Sequence, residues 1–156
     1  MPAIPVPDPH FDCPVAVSDY LLDITRRAYF ERDRTGYAAR FILPQVIDTI
    51  DGVRNLQTVA DLMHVYDEMC RIIQTKGVID FKRHTLSAVF EAPDTVRCTS
   101  ISQHLYQDYR LSEEMMIHSL LRRRNGRWKI AKSQYVTADS RMNAALIAGG
   151  RKLEKK

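Results

Sequence analysis

The chain has 156 residues, of which 45% are hydrophobic and 27% charged, the size and balance of a single folding domain, which excludes wholesale disorder. No apolar run of eighteen residues occurs, which excludes a membrane-spanning helix, and the first fifteen residues lack the charged and then apolar pattern of a secretory signal. The net charge of +4 is concentrated in Arg122, Arg123, Arg124, Arg127, Lys129 and Lys132 around one turn and in the tail Arg151–Lys156, and a basic turn plus a basic terminus is not a basic face, which argues against a nucleic-acid partner.

Cys13, Cys70 and Cys98 are an odd set without a CxxC pair, so a disulfide framework or structural zinc is disfavoured and a reducing, cytoplasmic setting is expected. Pro2, Pro5, Pro7, Pro9 and Pro14 make residues 1–16 an arm that is neither helix nor central strand, with Phe11 and Val15 as its anchors if it docks. Ser18-Asp19 reads as an N-cap for a helix from about Asp19 to Arg32. A short helical segment from Tyr37 to Ile42 follows and stops at Pro44. Gln45–Ile50 and Val53–Gln57 flank Asp51-Gly52, a hairpin signal. Thr58, with Asp61 three residues on, opens the clearest helix, whose stripe Val59, Leu62, Met63, Tyr66, Met69, Cys70 and Ile73 ends at Lys76-Gly77.

Beyond Gly77 the hydrophobic period changes to two. Strands are expected at Asp80–Glu91, Thr95–Tyr106, Glu114–Arg124 and Arg127–Thr137, the last pair joined by Asn125-Gly126. Asp139-Ser140 caps a final short helix, Arg141 to Ala148, so residues 17–137 form the domain and residues 138–156 a helix and basic tail. A two-residue turn at Asn125-Gly126 sets Leu121 opposite Ile130, Ile117 opposite Gln134 and His118 opposite Ser133. One face then carries Met115, Ile117, Leu121, Trp128, Ile130 and Val136; the other carries Met116, His118, Leu120, Ala131, Ser133 and Tyr135. Neither face is polar throughout, which predicts helices on one and a second copy of the chain on the other, a homodimer through the sheet.

Helix, short helix, small hairpin, long capped helix and four long antiparallel strands, with Phe41-Ile42-Leu43-Pro44, Asp51-Gly52 and Asn125-Gly126-Arg127-Trp128-Lys129-Ile130, resemble the nuclear transport factor 2-like, or SnoaL-like, superfamily over Val17 to Thr137. The resemblance implies an α+β cone, in which a strongly bent, mostly antiparallel sheet wraps round the N-terminal helices. Members include ketosteroid isomerase, polyketide cyclases, limonene epoxide hydrolase, scytalone dehydratase and dioxygenase small subunits. The implied function is a small-molecule-binding cone, a cofactor-independent isomerase, cyclase or dehydratase acting on a hydrophobic substrate. The alternatives are a non-catalytic ligand-binding or protein-interaction module and an accessory subunit.

The resemblance makes Asp48, just after Pro44, the match for a catalytic base, unless its strand turns it to solvent. His118 is the second candidate, beside Tyr135 and Met116, a set that suits a cavity or a dimer interface. Pocket-lining candidates are Tyr20, Ile24, Tyr66, Tyr135 and Trp128. The ketosteroid isomerases pair a helical tyrosine with an aspartate on a late strand, and no aspartate occurs in Thr95–Tyr106 or Glu114–Thr137. His84 and His104, in stretches rich in Ser, Thr and Arg, read as solvent-facing, as does His64. No HxH, HxxxH, GxGxxG, P-loop or GxSxG occurs, so no metal and no cofactor is expected.

Overall fold

A computed structural model describes residues 6–136, residues 145–146 and the backbone of residues 151–152. Helix α1 spans Pro14–Phe30 and begins five residues before the expected Asp19. Proline suits the first helical position, where its missing N–H would have no partner. Ser18 and Asp19 therefore lie inside the helix and tether a strand: Thr85 Oγ1 lies 2.7 Å from Ser18 Oγ, and the Thr85 N–H donates to Asp19 Oδ1 at 3.3 Å. Helix α2 is Arg34–Ala38, earlier than the expected Tyr37–Ile42, because Asp33 caps it through the Gly36 N–H and because Phe41 already begins strand β1, Phe41–Thr49. Strand β2, Gly52–Leu56, pairs so that Thr49 opposes Gly52; the hairpin turns at Ile50-Asp51, one residue before the expected Asp51-Gly52.

Helix α3, Val59–Lys76, has the expected reciprocal cap between Thr58 and Asp61, and it ends at Gly77, whose φ of 66° is left-handed. Strands β3 (Val78–Ala92), β4 (Thr95–Tyr106), β5 (Met115–Arg124) and β6 (Arg127–Val136) match the expected four. A two-residue β7, Arg151–Lys152, completes a mixed sheet of order β3-β4-β5-β6-β1-β2-β7, in which only β1 and β6 run parallel. Of the expected helix Arg141–Ala148, only Ala145-Leu146 lie within the described residues, and both are buried; the rest of that helix, Thr137 and the tail side chains lie outside them.

One register expectation is overturned. Asn125 and Gly126 have φ values of 52° and 74°, and Leu121 opposes Ile130 as expected, but the next pair is Leu120 with Lys132. Ala131 is an extra residue, a β-bulge, so beyond it Ser119 opposes Ser133, His118 opposes Gln134 and Ile117 opposes Tyr135. Ser133 and Tyr135 thereby leave the face that holds Met116 and His118 and join Ile117, Leu121, Trp128 and Ile130 on the concave side. Three irregularities in the β3–β4 ladder help bend the long strands.

The concave side holds two apolar clusters. The larger gathers α2, α3 and the end of α1 with Leu56, Val78, Phe81 and Met115; the smaller holds Val17, Leu21, Val96, Cys98, Leu121 and Trp128. The N-terminal arm docks beside the smaller cluster. Phe11 lies against the Tyr20 ring, but the anchor is Asp8, while Val15, on the helix, is 36% exposed. Asp8 forms a two-point pair with Arg40, at 2.8 and 3.1 Å, and accepts from the Tyr20 hydroxyl at 2.9 Å and the Trp128 N–H at 2.7 Å. Both side chains are almost fully buried. Burial raises the Asp8 carboxyl, but Arg40, the Trp128 amide and Tyr20 together hold it below the usual carboxylate range. Asp8→Ala is expected to cost about 3 kcal/mol in urea unfolding, because it strands a buried guanidinium. A depressed carboxyl stabilises the fold above its unfolded-state value. The wild-type advantage over Asp8→Ala should accordingly shrink as the pH falls below about 4.

Candidate functional site

Between the two apolar clusters runs a polar band. The inward residues of β4 pass from Val96 and Cys98 to Ser100, Ser102 and His104, all buried, so one face of one strand changes from apolar to polar along its length. Arg83 and Thr85 on β3 oppose Ser102 and Ser100, and Ser119 on β5 opposes Ser133 on β6. Thr25 on α1 closes the band from the helix side, its hydroxyl donating to the Leu21 carbonyl at 2.8 Å.

The band surrounds a cavity of about 60 Å³, lined by Leu22, Thr25 and Tyr29 of α1, Tyr37 of α2, Phe41 of β1 and Arg83 of β3, with Ser100 of β4, Ile117 and Ser119 of β5, and Ile130, Ser133 and Tyr135 of β6. By the measure of one water per roughly 10–15 Å³, it has room for about four to six water-sized groups. Tyr29 donates to the Tyr37 hydroxyl at 2.8 Å. Burial pushes the Tyr29 and Tyr37 phenols well above the ordinary range. Burial also raises Tyr135, while Arg83 and Ser133 draw it part of the way back. All three stay protonated at neutral pH, and with the Tyr29 proton given to Tyr37, the Tyr37 and Tyr135 phenols are left as donors towards the cavity.

Arg83 is the cationic residue of the lining. Its Nη1 donates to Thr25 Oγ1 at 3.1 Å and reaches the Leu22 carbonyl at 3.5 Å, its Nε lies 3.4 Å from Ser102 Oγ, and its guanidinium sits over the Phe81 ring. Burial lowers its pKa, opposed by the surrounding tyrosines, and it remains a cation. Among the described residues no carboxylate forms an ion pair with it: nearby Asp80 and Asp23 bind Arg26, and Asp19 accepts from Thr85.

Of the residues marked from the sequence, the structure brings Tyr135 into the cavity. Asp48 alternates with the buried Gln45, Ile47 and Thr49, so it lies on the convex face, where it opposes Val53 and Gln134. His118 is exposed on the same convex face, opposite Gln134, with its Nδ1 2.8 Å from Thr99 Oγ1. Tyr20 is held by Asp8, and Trp128 belongs to the smaller cluster. Tyr66 stacks on Tyr29 and donates to the Ala28 carbonyl, with its phenol pushed up to about 12, chiefly by burial. Ile24 is half-buried outside the lining.

His104, expected in solvent, is buried and stacked on Phe81, while His84 and His64 are exposed. Among the described residues, no group of three or more His, Cys, Asp or Glu is placed to hold a metal ion, and no helix is long and apolar enough to cross a membrane. Arg83, Thr25 and the three serines were missed because stretches rich in Ser, Thr and Arg read as solvent-facing. The available signal was the parity of β3 and β4, where Arg83, Ser100 and Ser102 share a face with Phe81, Val96 and Cys98.

No protein-family model matches the chain, and none of the curated proteins is similar to it in sequence. Solved structures are similar in fold. A function-unknown protein from Mycobacterium tuberculosis superposes with a TM-score of 0.62 at 17% identity over 90% of this chain and 93% of that one. An NTF-2 like protein of unknown function from Shewanella oneidensis MR-1 gives 0.59 at 11% identity over 80% and 100%. A ketosteroid isomerase-like protein from Erwinia carotovora atroseptica gives 0.53 at 14% identity over 83% and 99%. At these identities the likeness shows the fold. Because Asp48 lies away from the cavity, Asp48→Asn is expected to leave thermal stability within about 0.5 kcal/mol and to leave any ligand of the cavity bound, as read by denaturation and native mass spectrometry.

Proposed function

We propose that this nuclear transport factor 2-like cone is a small-molecule-binding domain whose ligand places an oxygen-bearing group in the polar band between the two apolar clusters. The observation that carries the reading is the convergence of hydroxyls from five elements (Thr25, Tyr37, Ser100, Ser119 and Ser133) on one cavity. A pocket with a few convergent polar groups set in an apolar surround is what orients a ligand. Native mass spectrometry of the full chain purified from its own host should show an added small-molecule mass. Ser119→Leu, which adds roughly three carbon atoms to the cavity wall, should remove that mass at a cost of about 1–3 kcal/mol of overpacking. A bare wild-type mass, or a ligand retained by Ser119→Leu, would contradict the reading.

A turnover of the isomerase, cyclase or dehydratase kind on a hydrophobic substrate is the second reading. It is favoured by the Tyr29–Tyr37 hydroxyl pair, a donor arrangement that could stabilise a developing enolate. No carboxylate or imidazole lines the cavity among the described residues, so the lining offers oxyanion stabilisation and not a base.

Association of two chains through the convex face is proposed from the paired Met116 and Val136, the latter exposed. Met116→Asp should then lower the sedimenting mass to that of a monomer. A wild-type monomer, or a variant that remains a dimer, would refute this placement.

A further inference from the structure

Arg83 is a half-buried charge built into the wall of a cavity. Its bonds run to neutral groups (the Thr25 and Ser102 hydroxyls and the Leu22 carbonyl), and the carboxylates nearest in the fold are engaged elsewhere. Burying a cation without a counter-ion is costly, and proteins ordinarily pair such a group or leave it in water. A guanidinium presents a planar fork of donors that matches a planar, two-oxygen anion. Around it, the Tyr37 and Tyr135 phenols and the hydroxyls of Ser119 and Ser133 offer further donors.

Resting on the binding reading above, we propose that the ligand is a carboxylate, whose head group enters the cone and is held by Arg83, with the phenols and serine hydroxyls as additional donors. The cavity's size suits a carboxylate and the short chain next to it. Leu22 and Arg83 also line a groove of about 290 Å³ between α1 and β3. Arg83 therefore belongs to the walls of both the cavity and the groove.

The test is a nuclear magnetic resonance titration of the isotope-labelled full chain with sodium propionate, propionamide and sodium chloride at matched concentrations. Propionate and propionamide have nearly the same shape and differ in charge. Propionate should bind saturably in the millimolar range, shifting the Arg83, Ser119 and Ser133 resonances, with at least a tenfold preference over the amide and no matching response to chloride. Arg83→Met should fold, unfold at a higher temperature than the wild type, and lose the preference. Arg83→Gln carries the same test if the methionine variant does not fold.

Equal binding of amide and acid, the same shifts with chloride, no propionate binding, or a preference that survives loss of Arg83 would each overturn the carboxylate assignment. Ser119→Leu separates this failure from failure of the cone reading. If acid and amide bind equally and both are lost in Ser119→Leu, the cone binds but the carboxylate assignment falls. If Ser119→Leu leaves both bound, the cone reading falls with it.

Discussion

One extra residue decides what the cone contains. Side chains on a strand alternate between faces, so a single inserted residue exchanges every inward position beyond it for an outward one. Ala131 is that residue. Before it, Trp128 and Ile130 point into the cone and give it an apolar end; beyond it, Ser133 and Tyr135 point in where Lys132 and Gln134 would otherwise stand. Without the bulge, two long, strongly hydrated side chains would have to be buried or the strand would have to leave the sheet. The hydroxyl lining of the cavity and the polarity of the convex face thus depend on the same local irregularity. Strand β1, parallel to β6, accommodates it with an irregularity of its own between Phe41 and Val46, and the buried Gln45 side chain donates to the Ile130 carbonyl at 2.9 Å across that gap.

The second constraint is the arm. Asp8 joins the N-terminal segment, α1 through Tyr20, the α2–β1 junction through Arg40, and β6 through the Trp128 amide. Its N–H donates to the Gly126 carbonyl, and Pro7 packs against that glycine, so the arm also touches the turn of the last hairpin. Two arginines of the interior, one buried and one half-buried, differ in a telling way. Arg40 has a full carboxylate partner and completes a structural clamp, whereas Arg83, near the other cluster, has none among the described residues.

Much of this architecture was legible in the residues. The Thr58–Asp61 cap, Gly77 and Asn125-Gly126 are local signals whose physics needs no tertiary context, and each appears where expected. The errors arose where tertiary partners outrank local signals. Ser18-Asp19 looked like a helix start because both residues are good caps; their bonds to Thr85 are long-range and invisible in a linear reading. Asp8 was hidden in a proline arm for the same reason. The bulge at Ala131 has no sequence mark: Ala131 is not a glycine, and its neighbours alternate plausibly in either register. Asp48 drew attention by its position after Pro44, yet Ile47 is the residue that burial in the core favours, and parity then turns Asp48 out.

The polar band is the feature that packing alone does not account for. A core built from apolar packing alone would place aliphatic side chains at Thr25, Arg83, Ser100, Ser119 and Ser133, joining the two clusters into one. These residues come from five different elements, α1, β3, β4, β5 and β6, and their inward orientation depends on separate registers and one bulge. A single buried hydroxyl is an ordinary accident of sequence. Five polar groups that meet at one level of the cone, around a cavity that the fold leaves unfilled, form a continuous surface with a chemistry of its own. Among the described residues the lining supplies donors and one positive charge but neither a carboxylate nor an imidazole.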